Sequence, residues 1–599
     1  MSEYVAPLRE MQFVMRELAG LDEVAALPGF GDATPDLVEQ ILAESGRFSG
    51  EVLAPINWSG DQEGSTWKDG EVTTPKGFKE AYRKFVEGGW NALQFPPEYG
   101  GQGLPKLVAA PVMEMWKSAN LSFSLCPLLT GGAIEALLLR GSDAQKQAYL
   151  PKMVEGTWTG TMNLTEPQAG SDLAQVKTKA VREGGHYRIF GQKIFITYGE
   201  HDLAENIIHL VLARVPDAPE GVKGISLFVV PKLIPKSDGT PGDRNDVRCV
   251  SIEHKLGIHA SPTAVMAFGD KDGAIGYLVG EENRGLEYMF IMMNAARFAV
   301  GMEGVAVCER AYQKALAYAK ERVQSRELGG SGSKPAPIIR HPDVRRMLMS
   351  MKAQAEAARA LAYVTAAAID KAHHHPDREV RARHQAFVDL MIPVVKGWST
   401  ESAIEVASTG IQVHGGMGFI EETGAAQYLR DARITTIFEG TTGIQSIDLV
   451  GRKIARDGGA TAQAVLAEWR QLEGELERSP DPDLKAVRRQ FGAGIRAAAD
   501  CVAFVVAGRD PTAVLAGAVP FLKLMGIVAG GWQLARAALA AERKLADGGS
   551  TDRSFLAATI ATARFYADHV LGHAPALRDT VVEGGAAVMA LSGEQFLAA

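Results

Sequence analysis

The stretch R-I-T-T-I-F-E-G-T-T-G-I-Q, Arg433 to Gln445, sets one carboxylate, Glu439, before a glycine and two threonines. A Thr pair ahead of an amphipathic run continuing to Arg456 reads as a helix N-cap, so Glu439 is predicted to project from a turn at a helix N-terminus. A carboxylate there also has an ordinary use, because it complements the helix dipole. Earlier in the chain, Q-V-H-G-G-M-G-F, Gln412 to Phe419, follows a helical stretch and is dense in glycine. Such glycines suit a helix C-cap and turn, and equally a backbone lying against a pyrophosphate.

Two further segments fall in a region of different texture. T-E-P-Q-A-G-S-D, Thr165 to Asp172, concentrates hydroxyls, backbone N–H groups and a glycine that permits close approach to a ligand. Its plain alternative is a turn closing a strand. F-I-T-Y-G, Phe195 to Gly199, ends a β-patterned run and places an aromatic and a hydroxyl two residues apart, hence on one side of a strand.

Periodicity supplies the frame around these segments. Leu37 to Leu53 and Phe78 to Val86 carry apolar residues at helical spacing, whereas Tyr187 to Ile196, Ile207 to Val211 and Ile225 to Val230 are β-branched and aromatic runs between turn residues. Helical patterning returns near Asn283, includes Val344 to Ala372, and is interrupted by the loop sequence Gly329 to Pro337. An Ala-rich segment begins near Gly458. The predicted architecture is α+β and mostly helical: an N-terminal helical domain (1–158), a central β-barrel-like domain (159–282), a helical bundle (283–457) and a C-terminal helical extension (458–599).

Composition narrows the function classes. The 599 residues are 46% hydrophobic and 22% charged, as in an ordinary globular chain, and the net charge of -8 gives no footprint for nucleic acid. Cys126, Cys249, Cys308 and Cys501 lack metal-ligand or disulfide spacing, so buried thiols are expected. The His373 to His375 run reads as a helix C-terminal turn, and no metal is expected. No phosphate loop, H-E-x-x-H or G-x-S-x-G is present. No uninterrupted apolar run suggests a membrane span, and Met1 to Gly20 lacks a signal-peptide pattern, so integral membrane association is not expected and a cytoplasmic location is.

Taken together and in this order, the four segments resemble the acyl-CoA dehydrogenase family of flavoproteins. The resemblance covers roughly Trp90 to Lys453 and includes P-P-E-Y-G-G-Q-G-L, Pro96 to Leu104, and Glu321-Arg322 after a long helix. The N-terminal start and the Ala-rich tail are similar to a longer bacterial branch, the 3-methylmercaptopropionyl-CoA dehydrogenases.

The resemblance implies FAD as cofactor, an acyl-CoA substrate and oxidation of its α and β carbons to a trans-2-enoyl-CoA. By position, Glu439 is the α-proton base and its N–H polarises the thioester carbonyl. Some relatives carry the base instead on the helix containing Met293 to Arg297, which holds no carboxylate here. Met162, Leu164, Thr165, Ser171, Phe195 and Thr197 match flavin-side positions. Family members often have an aromatic at Met162 and Trp at Phe195, and both replacements keep an apolar surface.

Arg322, Gln324, Gln412, Gly415 and Gly416 match pyrophosphate and adenosine contacts that reach across a subunit interface, with Arg322 suited to paired charge-assisted bonds. Thr441 and Gly443 match further cofactor positions, Gly443 replacing a common polar side chain. Ser171, Asn294, Arg297 and Gly440 match substrate contacts, Asn294 standing where Asp is frequent. The implied assembly is a homodimer and the implied electron acceptor an electron-transfer flavoprotein. The alternatives are an acyl-CoA oxidase using oxygen, or a dehydrogenase of short-, medium- or long-chain fatty acyl-CoA.

Overall fold

The computed structural model describes residues 4–327, 334–547 and 552–597. The chain forms two compact units, one of residues 44–104 and 115–299, the other of 1–43, 105–114 and 300–599.

The first unit packs helices α1 (Leu121–Arg140) and α2 (Asp143–Glu155) with a sheet. Asn120 caps α1 by accepting from the Phe123 N–H at 3.0 Å, and Ser142 with Gln145 forms a capping box on α2. The strands are β1 (Trp158–Asn163), β2 (Lys179–Glu183), β3 (His186–Thr197), β4 (Asn206–Ala213), β5 (Ser226–Pro231), β6 (Val247–Ile252), β7 (Thr263–Phe268) and β8 (Ala274–Leu278). Their order is β6-β7-β3-β8-β5-β4-β1, with β2 alongside β3. β1 and β4 run parallel and are buried along their whole length, with polar side chains such as Thr161 and His209 paired with one another.

One departure from regular pairing shapes this unit. Strict alternation places Lys193, Phe195 and Thr197 on one face of β3. Instead the β3–β7 register shifts between Ala264 and Met266, and Phe195 adopts φ 60°. The bulge turns Lys193 fully inward and leaves Phe195 59% exposed.

The second unit is helical. It contains the C-terminal part of α3 (Gly285–Glu321), then α4 (Pro342–His374), α5 (Arg378–His414), α6 (Ala425–Thr435) and α7 (Thr442–Ile447), followed by α8 (Ala460–Arg478), α9 (Pro482–Ala507), α10 (Ala518–Ala546), α11 (Arg553–His569) and α12 (Ala574–Glu583). Arg359 on α4 is completely buried among Glu10, Glu114 and Glu309, and Tyr363 donates to Glu114 at 2.7 Å. Burial raises the Glu114 carboxyl above its usual range despite the Arg359 charge. In the tail, Trp469 stacks on Trp532 at 5.4 Å.

The predicted stretch Val344 to Ala372 lies within α4, which ends in the His run as expected. Residues 329–333 of the anticipated loop lie outside the described residues. All four cysteines are buried and free, and no group able to hold a metal occurs among the described residues. The membrane expectation needs correction. Leu121–Arg140, Gly285–Glu321, Pro482–Ala507 and Ala518–Ala546 are long and apolar enough to cross a membrane, although each contains polar interruptions that hide this in the raw sequence. Their most apolar windows are 78%, 72%, 50% and 83% buried inside the protein, so packing accounts for much of that apolarity.

Candidate active site

The anticipated site residues form two sets, one in each unit. In the first unit, β1 ends beside Met162 and Leu164, both buried, and half-buried Thr165 follows. The Thr165 carbonyl accepts from the Ile194 N–H at 2.9 Å, which fixes this loop against β3 next to Phe195 and Thr197. Thr197 is half-buried, Ile196 buried and Phe195 exposed. Ser171 is exposed at the end of the T-E-P-Q-A-G-S-D turn, and on α3 Asn294 is exposed while Arg297 is buried.

A buried ion pair fixes this set. Lys193 Nζ lies 2.8 Å from Glu166 Oε1 and donates to the Leu164 carbonyl at 2.9 Å. Glu166 also accepts from the Thr178 hydroxyl and N–H and from the Lys177 N–H. Burial works against the Glu166 carboxylate, yet the Lys193 ammonium and these donors hold it below the usual carboxylate range. Burial lowers the Lys193 ammonium in turn. Behind them, Thr159 meets His201 at 2.9 Å and Thr161 meets His209 at 2.7 Å. Burial pushes both imidazoles down to about 3, so they are neutral near pH 7.

In the second unit, α5 ends at His414 and Gly415 continues at φ 59°. A Cβ added at Gly415 or Gly416 would meet nothing within 4 Å, so this backbone stands open beside exposed Gln412. Arg322 and Gln324 are exposed after α3, where their backbones pair with Ile338 and Ala336. Among the described residues, no carboxylate lies within 4.0 Å of the Arg322 guanidinium.

Glu439 sits in the turn between α6 and α7, half-buried, at φ 56°. For a glutamate that left-handed backbone is strained and persists only where its surroundings over-determine it. The determinants are visible. Thr441 caps α7 by accepting from the Ile444 N–H at 3.2 Å, and the Thr442 hydroxyl donates to Glu401 at 2.6 Å. Gln445 Nε2 donates to the Glu439 and Gly440 carbonyls at 3.2 and 3.1 Å, and Lys396 Nζ donates to the Gly440 carbonyl at 2.8 Å. Gly440 is required twice over, because its φ is 88° and a Cβ would meet Gln445 Nε2 at 2.7 Å.

Gly443 has an open Cβ direction apart from the Thr441 hydroxyl at 3.6 Å. Sequence reading missed Lys193, Lys396 and Gln445. A lysine inside the apolar run P-V-V-K-G-W was the available signal for Lys396.

The chain matches the acyl-CoA dehydrogenase N-terminal domain over residues 40–157, the middle domain over 161–270, the C-terminal domain over 283–454 and an acetyl-CoA dehydrogenase C-terminal-like domain over 460–592. The chain belongs to the acyl-CoA dehydrogenase family. It is 52% identical to the 3-methylmercaptopropionyl-CoA dehydrogenase of Ruegeria pomeroyi over 98% of this chain and 100% of that one. A broad-specificity linear acyl-CoA dehydrogenase, FadE5 of Mycobacterium tuberculosis, is 36% identical over 97% and 98%. Among solved structures, an acyl-CoA dehydrogenase of Bacillus anthracis complexed with FAD has a TM-score of 0.74 at 22% identity, covering 98% of this chain and 93% of that one.

Acyl-CoA dehydrogenases are FAD-dependent oxidoreductases, and the residues of this member fit that cofactor. Phe195 and the neighbouring hydroxyls of Thr165 and Thr197 offer an exposed ring and polar partners suited to a flat heterocycle. Open backbone at Gly415 and Gly416 and the exposed guanidinium of Arg322 suit a pyrophosphate.

Proposed function

We propose that this protein dehydrogenates an acyl-CoA thioester between its α and β carbons, with Glu439 as the base that takes the α proton. The carrying observation is the Glu439 turn, where a strained backbone is held by buried donors. An α C–H is a weak acid, so the carboxylate must be placed against it and the thioester oxygen must be polarised by an aimed donor. The Glu439 N–H is that donor in our reading. FAD, held by the residues named below, would supply the two-electron acceptor for the β hydrogen.

Met162, Leu164, Thr165, Ser171, Phe195 and Thr197 hold the flavin half. Arg322, Gln324, Gln412, Gly415, Gly416, Thr441 and Gly443 hold the phosphate and adenosine half. Ser171, Asn294, Arg297 and Gly440 meet the substrate. The four sequence segments at 1–158, 159–282, 283–457 and 458–599 are the working domains. The substrate is 3-methylmercaptopropionyl-CoA, a choice supported by the high identity to the Ruegeria pomeroyi enzyme across both chains. An electron-transfer flavoprotein accepts the electrons, and the enzyme works as a cytoplasmic homodimer.

Glu439→Gln decides the assignment. The variant is expected to stay yellow but to lose anaerobic bleaching by substrate, with turnover falling at least about 100-fold. Bleaching at the wild-type rate overturns it. A panel of acyl-CoAs of increasing length, with the methylthio compound included, tests the substrate; equal kcat/KM for the methylthio and butyryl thioesters overturns that choice.

A further inference from the structure

We infer that Lys396 and Gln445 are positioning residues for the base, a clamp on the two peptides that follow Glu439 that keeps its backbone turned so that its carboxylate stays aimed. The inference rests on Glu439 being the base, as proposed above. Its grounds are geometric. Lys396 is 0% exposed in the middle of α5, where an ammonium is tolerated only with strong hydrogen-bond partners. It spends one donor on the carbonyl of Gly440, 44 residues away in sequence and adjacent to Glu439.

Gln445 is also 0% exposed and reaches back from α7 to the two carbonyls on either side of the Gly440 Cα. Two consecutive peptide planes are therefore fixed from outside the turn. Rotation of either plane would break a bond to a buried donor, which is costly to leave unsatisfied, and rotation of the first would change the Glu439 backbone that sets the direction of its side chain. Among the described residues Gln445 Oε1 is buried without a partner, so the two donor bonds orient this amide. The arrangement gives a physical account of how glutamate tolerates φ 56° at the position where the chemistry needs it.

The test uses full-length, FAD-loaded protein carrying Lys396→Met, Lys396→Arg or Gln445→Leu, with Glu439→Gln as a control. Amide hydrogen exchange over residues 436–447 reads the turn directly. Lys396→Met and Gln445→Leu are expected to speed that exchange at least about 10-fold. They should lower kcat about 10- to 100-fold with KM for the acyl-CoA nearly constant, because orientation and not binding is lost. Lys396→Arg, which keeps a charged donor, is expected to recover part of kcat.

Glu439→Gln should leave exchange in the turn at the wild-type rate while abolishing bleaching. If Glu439→Gln still turns over, the base assignment fails, whereas the exchange data continue to report on the clamp. Unchanged exchange in both donor variants overturns the clamp. So does faster exchange with wild-type kcat, or a loss confined to KM. If Lys396→Met does not fold, Gln445→Leu decides by the same readouts.

Discussion

Phe195 and Glu439 are both bulky residues held at positive φ, one in the sheet unit and one in the helical unit. Each such conformation costs on the order of 1–2 kcal/mol, and a lysine that is 0% exposed lies near each, in sequence at Phe195 and in space at Glu439. The means differ. At Phe195 the strain belongs to a β-bulge, and the supporting Lys193 lies two residues earlier on the same strand, neutralised by Glu166. At Glu439 the support arrives from α5 and α7 by side chains that grip carbonyls. A bulged strand can anchor its own irregularity locally, whereas a turn between short helices has no ladder to lean on and must borrow donors from elsewhere.

The sharpest way to break the sheet-side arrangement is Glu166→Ala, which leaves Lys193 buried without its counter-charge. We expect a loss of about 3–5 kcal/mol in urea denaturation, together with weakened FAD retention, because the Thr165 loop is freed. Retention of full stability would mean that Lys193 is not held by charge.

A second contrast concerns pH. His201 and His209 are buried neutral in the sheet unit with values near 3, against about 6.5 unfolded, so the unfolded chain binds more protons between these limits. Their stability is present above about pH 6.5 and is lost as pH falls toward 3, by at most about 1.4 kcal/mol per pH unit for each imidazole. In the helical unit, burial pushes Asp370, which accepts from the Lys106 and Leu107 N–H groups at 2.8 and 2.9 Å, up to about 7. That group binds a proton on folding, so its contribution falls as pH rises from about 4 to about 7. Denaturation midpoints from pH 4 to 6 should show a shallower acid loss in His209→Gln and a steeper one in Asp370→Asn.

The smallest expected effect is Phe195→Gly. Relief of the left-handed backbone should stabilise the protein by about 1 kcal/mol in thermal unfolding, while removal of the ring weakens FAD binding. Opposite signs in the two measurements would separate backbone strain from ring contact. A loss in both would show that the aromatic supports the bulge.

Much of the site could be read from local chemistry. The Thr441 cap and the C-terminal glycines of α5 are encoded by short-range preferences and appear where the motifs put them. The same holds for the β3 segment, whose apolar pattern survives until Lys193. There alternation misleads, because the bulge inverts the faces and puts a charge inside and an aromatic outside. The partners of Lys396 and Gln445 were invisible for a different reason. The apolar run P-V-V-K-G-W marks Lys396 as buried, but nothing near either residue in sequence names the carbonyl it grips.

The amino-acid sequence by itself determined the helical, β, helical, helical order, the caps, and the choice of Glu439 as a carboxylate before Gly440. These depend on periodicity, φ preferences and hydrogen bonds spanning a few residues. Tertiary structure alone decided that Glu439 lies in strained backbone, that Lys193 finds Glu166 and that Lys396 finds Gly440. Those outcomes require groups far apart along the chain to be buried together, where an unsatisfied donor or charge is expensive and its partner is set by packing.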